Sequence, residues 1–359
     1  MTGPTDTLTQ ILDLARWAPS GDNTQPWRFE RLAPDRVAVH AFDTRGHCVY
    51  DLDGRPSQLS VGALIETAAI AASAHGLAMQ AQRQAGSPDE RPVFHLQFNA
   101  DPTVAPSPLL PFVTQRSVQR LPLSTQPLDG HAQGALEAAV GPGFSIRWFA
   151  GAAQRRRWAG MLWRNAGLRL RLPEAFETHR QVIEWNARFS DDRIPDQALG
   201  VDAATRRLMR WGMASWARVD FMNRWLGGTI VPRLLMDVRP ALACAAHVAI
   251  LADTPPRGVE GQIEAGRAVQ RFWLTATRLG LQHQPSMTPL IFARYVREGR
   301  AFTAHAGSQR TAQQVAAELD ALLGSGAPNA VWLGRLGHGP AALARSRRQS
   351  LRQLGLDEA

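Results

Sequence analysis

Apolar positions along the chain alternate between helical and strand spacing. Residues 7–17 place Ile11, Leu14 and Ala15 on one helical face. Pro19 ends that helix, because the residue before a proline is pushed out of the α region. Residues 27–31 and 37–42 read as strands. Residues 59–75 form a long alanine-rich helix, capped by Ser57 and ended by Gly76. It is apolar almost all round, which predicts burial. Strands follow at 79–83 and 93–98. Beyond Pro106 the pattern predicts a helix ending near Pro122, a helix at 128–140 and a strand at 144–149. A Trp- and Arg-rich helical stretch runs over 152–228, broken near Asp191. Within it, residues 206–224 carry Met209, Met213, Trp216 and Met222 in an amphipathic pattern. Residues 241–251 are fully apolar and read as a central strand or the segment leading to it. A helix at 263–279 precedes a short strand at 281–284. A helix at 311–323 precedes a strand at 330–336.

The chain has 359 residues, 45% hydrophobic and 20% charged, enough for one large or two ordinary domains. No apolar run is long enough for a membrane span. The N-terminal residues lack the basic and apolar regions of a leader, which makes the cytoplasm the default location. Cys48 and Cys244 support neither a disulfide framework nor a zinc site. The net charge of +9 raises a nucleic-acid role. The arginines are spread along the chain without a recognition motif, which argues against it. All 40 basic residues are arginine. With no lysine there is no Schiff base and no Walker A loop, so any phosphate must be held by arginine and backbone amides.

Two stretches carry candidate chemistry. The first, Ala18-Pro19-Ser20-Gly21-Asp22-Asn23-Thr24-Gln25-Pro26-Trp27, packs hydroxyl and amide groups between two prolines. Such groups can read the edge of a flat heterocycle. Equally, the stretch is a turn into a strand. The second, Gln115-Arg116-Ser117-Val118-Gln119-Arg120, puts two guanidinia and a hydroxyl close together. That is a phosphate grip, or a solvated helix end. The tail adds Arg345, Arg347 and Arg348. It too reads as a solvated basic segment or as part of an anion site.

The first stretch resembles the Pro-Ser-x-x-Asn-x-Gln-Pro-Trp signature of the nitroreductase family of flavoproteins. The second is similar to that family's Arg-Arg-Ser-x-Arg segment, with Gln115 in place of the first arginine and Arg120 one position late. Gly76-Leu77 and Gly280-Leu281 each follow a core helix, and Arg335-Leu336-Gly337 precedes the basic tail. The chain therefore looks like two degenerate nitroreductase domains fused head to tail, as in the Acg-type branch. The resemblance implies an α+β fold, a pseudodimer with mixed or antiparallel sheets flanked by helices. Residues 1–105 would be the first half, with the flavin-ring loop. Residues 106–359 would be the second half, with the phosphate site and a helical lid at about 151–240.

It also implies one FMN site, with no cofactor in the pseudo-symmetric position. Ser20, Asn23 and Gln25 would face the ring or ribityl chain. Arg116, Ser117 and Arg120 would hold the phosphate with Arg345 and Arg347. Ser286 and Met287 would approach flavin N5. No side chain is assigned as catalytic and no metal is expected, because the cofactor supplies the chemistry. NAD(P)H would visit the ring as transient donor. A small nitroaromatic, quinone or metabolite double bond would accept the electrons. Two other roles stay open: an FMN-sequestering protein under a closed lid, and an accessory flavoprotein in a biosynthetic cluster. A monomer or weak homodimer is expected, because a pseudodimer satisfies the family interface internally.

Overall fold

The computed structural model describes residues 6–356. Residues 1–5, part of the N-terminal stretch read above, and 357–359 lie outside the described residues. In α1 (Thr7–Ala15) the Asp6 carboxylate accepts from the Thr9 amide at 2.9 Å and closes the first turn. The hairpin β1 (Trp27–Ala33) and β2 (Arg36–Ala41) follows, then α2 (Arg55–Ser73), β3 (Leu77–Arg83) and β4 (Val93–Ala100). These strands make one antiparallel sheet in the order β1-β2-β4-β3. Ser57 is not the cap of α2. Gly54 holds that position, and the Ser57 hydroxyl donates to Asp51 Oδ2 at 2.6 Å inside the first turn.

The rest of the chain builds a second unit. It contains α3 (Gly130–Val140), β5 (Phe144–Ala150), α4 (Gly151–Arg169) and α5 (Pro173–Val182). Three short strands come next, β6 (Ile183–Glu184), β7 (Phe189–Ser190) and β8 (Ile194–Pro195). Then come α6 (Ala203–Gly212), α7 (Trp216–Trp225), α8 (Ile230–Pro232), a π-helical turn (Arg233–Val238) and α9 (Arg239–Leu242). The chain ends through β9 (Ala246–Ala252), α10 (Gly258–Arg278), β10 (Leu281–Pro285), α11 (Thr288–Arg297), α12 (Ala306–Leu323), β11 (Ala330–His338) and β12 (Arg345–Ser346). The second sheet, β10-β11-β9-β5, is antiparallel throughout. Parallel pairing occurs in two-stranded ribbons, β12 with β7 and β6 with β8. The architecture is α+β, with antiparallel sheets flanked by helices. The single amphipathic pattern over 206–224 is cut in two: α6 stops at Gly212, and the Ser215 hydroxyl caps α7.

Helices α2 and α10 join the units. Sixteen of the nineteen residues of α2 are buried, as its all-round apolar pattern requires. The two backbones nearly touch. A Cβ on Gly62 would lie 2.1 Å from the Ile263 carbonyl oxygen, and one on Gly266 would lie 2.0 Å from that of Leu59. Around this crossing Glu66 accepts from Arg267 at 2.9 Å and Arg271 at 3.1 Å, and Gln270 donates to Thr67 at 2.9 Å. The C-terminal segment returns to the first unit. The Leu354 carbonyl accepts from the Phe29 amide at 2.8 Å, and Leu354 and Leu356 join the first core.

Two buried histidines are held neutral in the second unit. His247 lies flat on Trp158 at 4.8 Å, and the Trp332 indole donates to His283 at 3.1 Å. Burial pushes both down to about 3.

Gly62→Ala or Gly266→Ala is expected to cost about 1–3 kcal/mol or more, because neither backbone can yield without separating the helices. An earlier urea midpoint checks this; an unchanged one would show that the helices part at little cost. The histidines give a pH dependence. Their folded values lie below the ordinary 6.5, so the unfolded chain binds more protons between about 6.5 and 3. Their stabilisation is full above pH 6.5 and is lost as pH falls toward 3, by up to about 1.4 kcal/mol per pH unit for each group. Urea midpoints from pH 7 to pH 4 should fall, and His283→Gln should flatten that fall.

Candidate functional site

A cavity of about 320 Å³ opens where the units meet. That is within the usual range for small-molecule sites, about 300–1,000 Å³. Leu59, Ser60 and Ala63 of α2 line it from the first unit, and Val269 and Trp273 of α10 from the second. Trp332 adds another flat apolar surface. The Pro19–Thr24 loop borders the same space.

One end of the cavity holds three arginines. Arg116 is buried, donates to the Trp17 carbonyl at 3.1 Å and lies 4.5 Å over the Trp273 ring. Arg348 is also buried and donates to the Ala18 carbonyl at 3.0 Å and the Trp17 carbonyl at 3.3 Å. Arg345 donates to the Thr114 carbonyl at 2.8 Å and the Arg116 carbonyl at 3.0 Å, and sits 5.4 Å over the Trp17 ring. Among the described residues no carboxylate offsets the three charges. The Nε atoms of Arg116 and Arg345 have no hydrogen-bond partner. Burial and then mutual repulsion push Arg116 well below the usual guanidinium range, and Arg348 falls to about 9. Such a cluster calls for an anion with several acceptor oxygens.

Another wall is a polar network drawn from both units. Tyr50 and His179 meet at 2.9 Å. Burial lowers His179 to about 3, so the neutral imidazole accepts the Tyr50 hydroxyl proton through Nε2. Arg169 donates to Asp237 at 3.0 Å. Burial works against the Arg169 charge, but Asp237 and Tyr50 outweigh it and raise its pKa. Asp22 projects from left-handed backbone at φ 51, and burial raises its pKa against the opposing pull of Arg120 and Arg169. Cys48, pushed up to about 12 by burial, stays a thiol and is no nucleophile. Among the described residues no group of His, Cys, Asp or Glu could hold a metal ion.

Of the residues singled out in the sequence, Ser20, Asn23, Arg116, Ser117, Arg120, Met287 and Arg345 line this cavity. Gln25, Ser286 and Arg347 are not among its lining residues. Gln25 is fully buried and works as a staple, donating to the Asp191 carbonyl at 2.8 Å and accepting from the Gln349 amide at 3.0 Å. The Ser286 amide donates to the Leu333 carbonyl at 2.8 Å, while its neighbours Pro285 and Met287 face the cavity. Arg347 pairs with Asp191 at 3.3 Å near the surface. The helix expected to end near Pro122 is a single 3₁₀ turn, Leu110–Phe112. Beyond it the chain is pulled out of helix by the second sheet: Val118 bridges His283, and the Gln119 amide donates to the His283 carbonyl at 3.1 Å. Arg116 therefore closes the turn that follows, its amide donating to the Phe112 carbonyl at 3.0 Å, whereas Arg120 comes from the chain beyond the bridge and not from a helix end.

Sequence reasoning missed Tyr50, Arg169 and His179, which come from three distant segments with no local spacing to mark them. Asp22 and Arg348 were within view, inside the loop and the basic tail.

No family model matches the chain, and no curated protein matches it. The solved structures similar in shape to this chain include the following two. A nitroreductase-like family protein from Bacillus cereus is 9% identical, with 69% of this chain and 94% of that one covered, at a TM-score of 0.33. The FMN-dependent nitroreductase NfnB from Mycobacterium smegmatis, solved in complex with NADPH, is 15% identical, with 69% and 96% covered, at a TM-score of 0.35. Likeness at this level assigns nothing, and the functional reading rests on the residues.

The arginine cluster makes a ligand-independent prediction. Inorganic phosphate should raise the thermal stability of the protein with no other ligand added, by about 2.7 kcal/mol at a hundredfold excess over its Kd. Arg116→Met should abolish that gain while leaving the unliganded protein as stable or more stable, because a buried like charge is removed. A gain that survives Arg116→Met would place the anion elsewhere.

Proposed function

We propose that the chain is an FMN-binding oxidoreductase of the nitroreductase type. It would pass reducing equivalents from NAD(P)H to a small aromatic, quinone or nitro acceptor. The observation that carries this reading is the pairing of an uncompensated arginine cluster with a flat-walled cavity beside the Pro-Ser-x-x-Asn-x-Gln-Pro-Trp loop. The cluster suits a phosphate dianion, and Trp273, Trp332 and the α2 face suit a planar ring. The two units would correspond to the two halves of a fused pseudodimer, residues 1–105 and 106–359.

Arg116, Arg345 and Arg348 would hold the phosphate. Ser20 and Asn23 are among the polar loop groups that line the cavity, and the buried, unpartnered Oδ1 of Asn23 is suited to accept one more hydrogen bond. Bound FMN would supply hydride transfer, so no side-chain acid–base pair is required for that step. The protein's own work is to fix the ligand, keep water from it and set its charge. Arg169 stays charged on the second wall but is ion-paired with Asp237, so it would offer hydrogen-bond donors there rather than net positive charge. Tyr50 and His179 hold one proton between two neutral groups and add no charge.

A second reading, sequestration of FMN, is favoured by one feature. The 183–198 segment, inside the expected lid, crosses the loop as a strap. Asn23 and Ser346 both donate to the Arg193 carbonyl, at 3.3 and 2.8 Å, and Arg120 donates to the Ala198 carbonyl at 3.2 Å. With Gln25 on Asp191, four side chains hold it down.

Visible absorption of the purified protein separates the readings. About one flavin per chain that bleaches promptly with NADH or NADPH under anaerobic conditions is expected for the enzyme. Flavin that stays oxidised supports sequestration. A colourless protein that FMN cannot reconstitute would overturn both.

A further inference from the structure

Outside the cavity, the molecule's most unusual surface lies on α6, α7, α8 and the π-helical turn. Thirteen large hydrophobic side chains are exposed among the described residues, and eight of them fall between Leu208 and Leu234. Trp225 is 75% exposed, Leu226 67% and Leu208 58%, with Phe221, Val231 and Trp211 close behind. These helices are one packed body. Gly212 of α6 meets the Met222 side chain of α7, and the Gly228 amide donates to the Met222 carbonyl at 2.8 Å. Soluble surfaces seldom gather so much apolar area without a partner.

The charge around it is one-sided. Residues 202–239 contain seven arginines and three aspartates. Of the aspartates, Asp202 caps α6, Asp220 pairs with Arg224 at 2.9 Å and Asp237 is taken by Arg169. Arg207, Arg210, Arg218 and Arg239 are exposed and have no carboxylate in ion-pair distance among the described residues. Arg206, Arg207 and Arg210 share a cleft with Trp211. Exposed tryptophan and leucine set among unpaired arginines match the interface of an anionic bilayer. There the rings sit at headgroup depth and the guanidinia meet lipid phosphates. A second copy of the chain would bring the same positive charge against itself.

We propose that the α6–α8 face docks peripherally on a membrane surface rich in anionic lipid. No helix of the described residues is long and apolar enough to cross a membrane, so the contact is interfacial. The proposal is independent of the flavin reading, because no residue of this face is needed to hold the cofactor.

The full chain is tested by co-sedimentation with vesicles of phosphatidylcholine alone and of phosphatidylcholine mixed with phosphatidylglycerol. Binding is expected to the anionic vesicles, with a blue shift of tryptophan emission, and to weaken as salt rises. The double variants Trp225→Ser with Leu226→Ser, and Arg207→Glu with Arg210→Glu, should each weaken it by about tenfold or more. All four residues are exposed, so an unchanged unfolding midpoint confirms that each variant folds. Failure to pellet with anionic vesicles, equal binding to both lipids, or variants that bind like the parent would overturn the proposal. So would a dimer, seen by sedimentation without lipid, that the Trp225 variant dissolves.

Discussion

The structure depends on one backbone contact, the crossing of α2 and α10 at Gly62 and Gly266. Each glycine faces a carbonyl oxygen at a distance no side chain could share. Their absence of a Cβ lets two buried helices approach closely enough for Glu66, Thr67, Arg267, Gln270 and Arg271 to interlock. The same helices then carry Leu59, Ala63, Val269 and Trp273 to the cavity. Packing and site are thus one constraint. Moving the helices apart would widen the cavity and break the polar contacts between them together.

The arginine cluster runs against what folding alone would select. Burying two guanidinia beside a third that is half-buried costs desolvation and repulsion, and backbone carbonyls of Trp17, Ala18 and Thr114 offset only part of it. A sequence chosen for stability would place apolar groups there. The cluster is therefore a place where stability is given up, and a bound anion would restore it. The strap works in the opposite direction, since Gln25 is spent on tying Asp191 and Gln349 rather than on touching a ligand.

Much of this was legible beforehand where local periodicity and burial agree. The all-round apolar helix, the alternating strands and the Gly-Leu junctions all follow from spacing. Reading failed where tertiary contacts overrode local pattern. The stretch up to Pro122 looks helical throughout, yet His283 recruits Val118 and Gln119 to a sheet edge. The amphipathic run over 206–224 looks continuous, yet Ser215 supplies a new cap. Within the site, Arg116 and Arg345 were marked by their clustering with other arginines. Tyr50, Arg169 and His179 meet only through long-range folding, so no window of sequence contains their relation.

The middle of the chain ties these features together. Residues 183–198 form the strap over the loop, Arg169 and His179 supply the cavity's second wall, and α6 to α8 carry the exposed apolar face. Wall and face are joined directly. Asn223 of α7 donates to the Leu170 carbonyl at 2.8 Å, and Arg206 of α6 reaches Asp196 of the strap at 3.7 Å. Arg169 itself is fixed by Asp237 in the π-helical turn. A force that shifts α6 and α7 therefore acts on the strap and on the charged wall through three polar links. Because those links are few and polar, this region is where opening would cost less than at the α2–α10 crossing, which stays fixed.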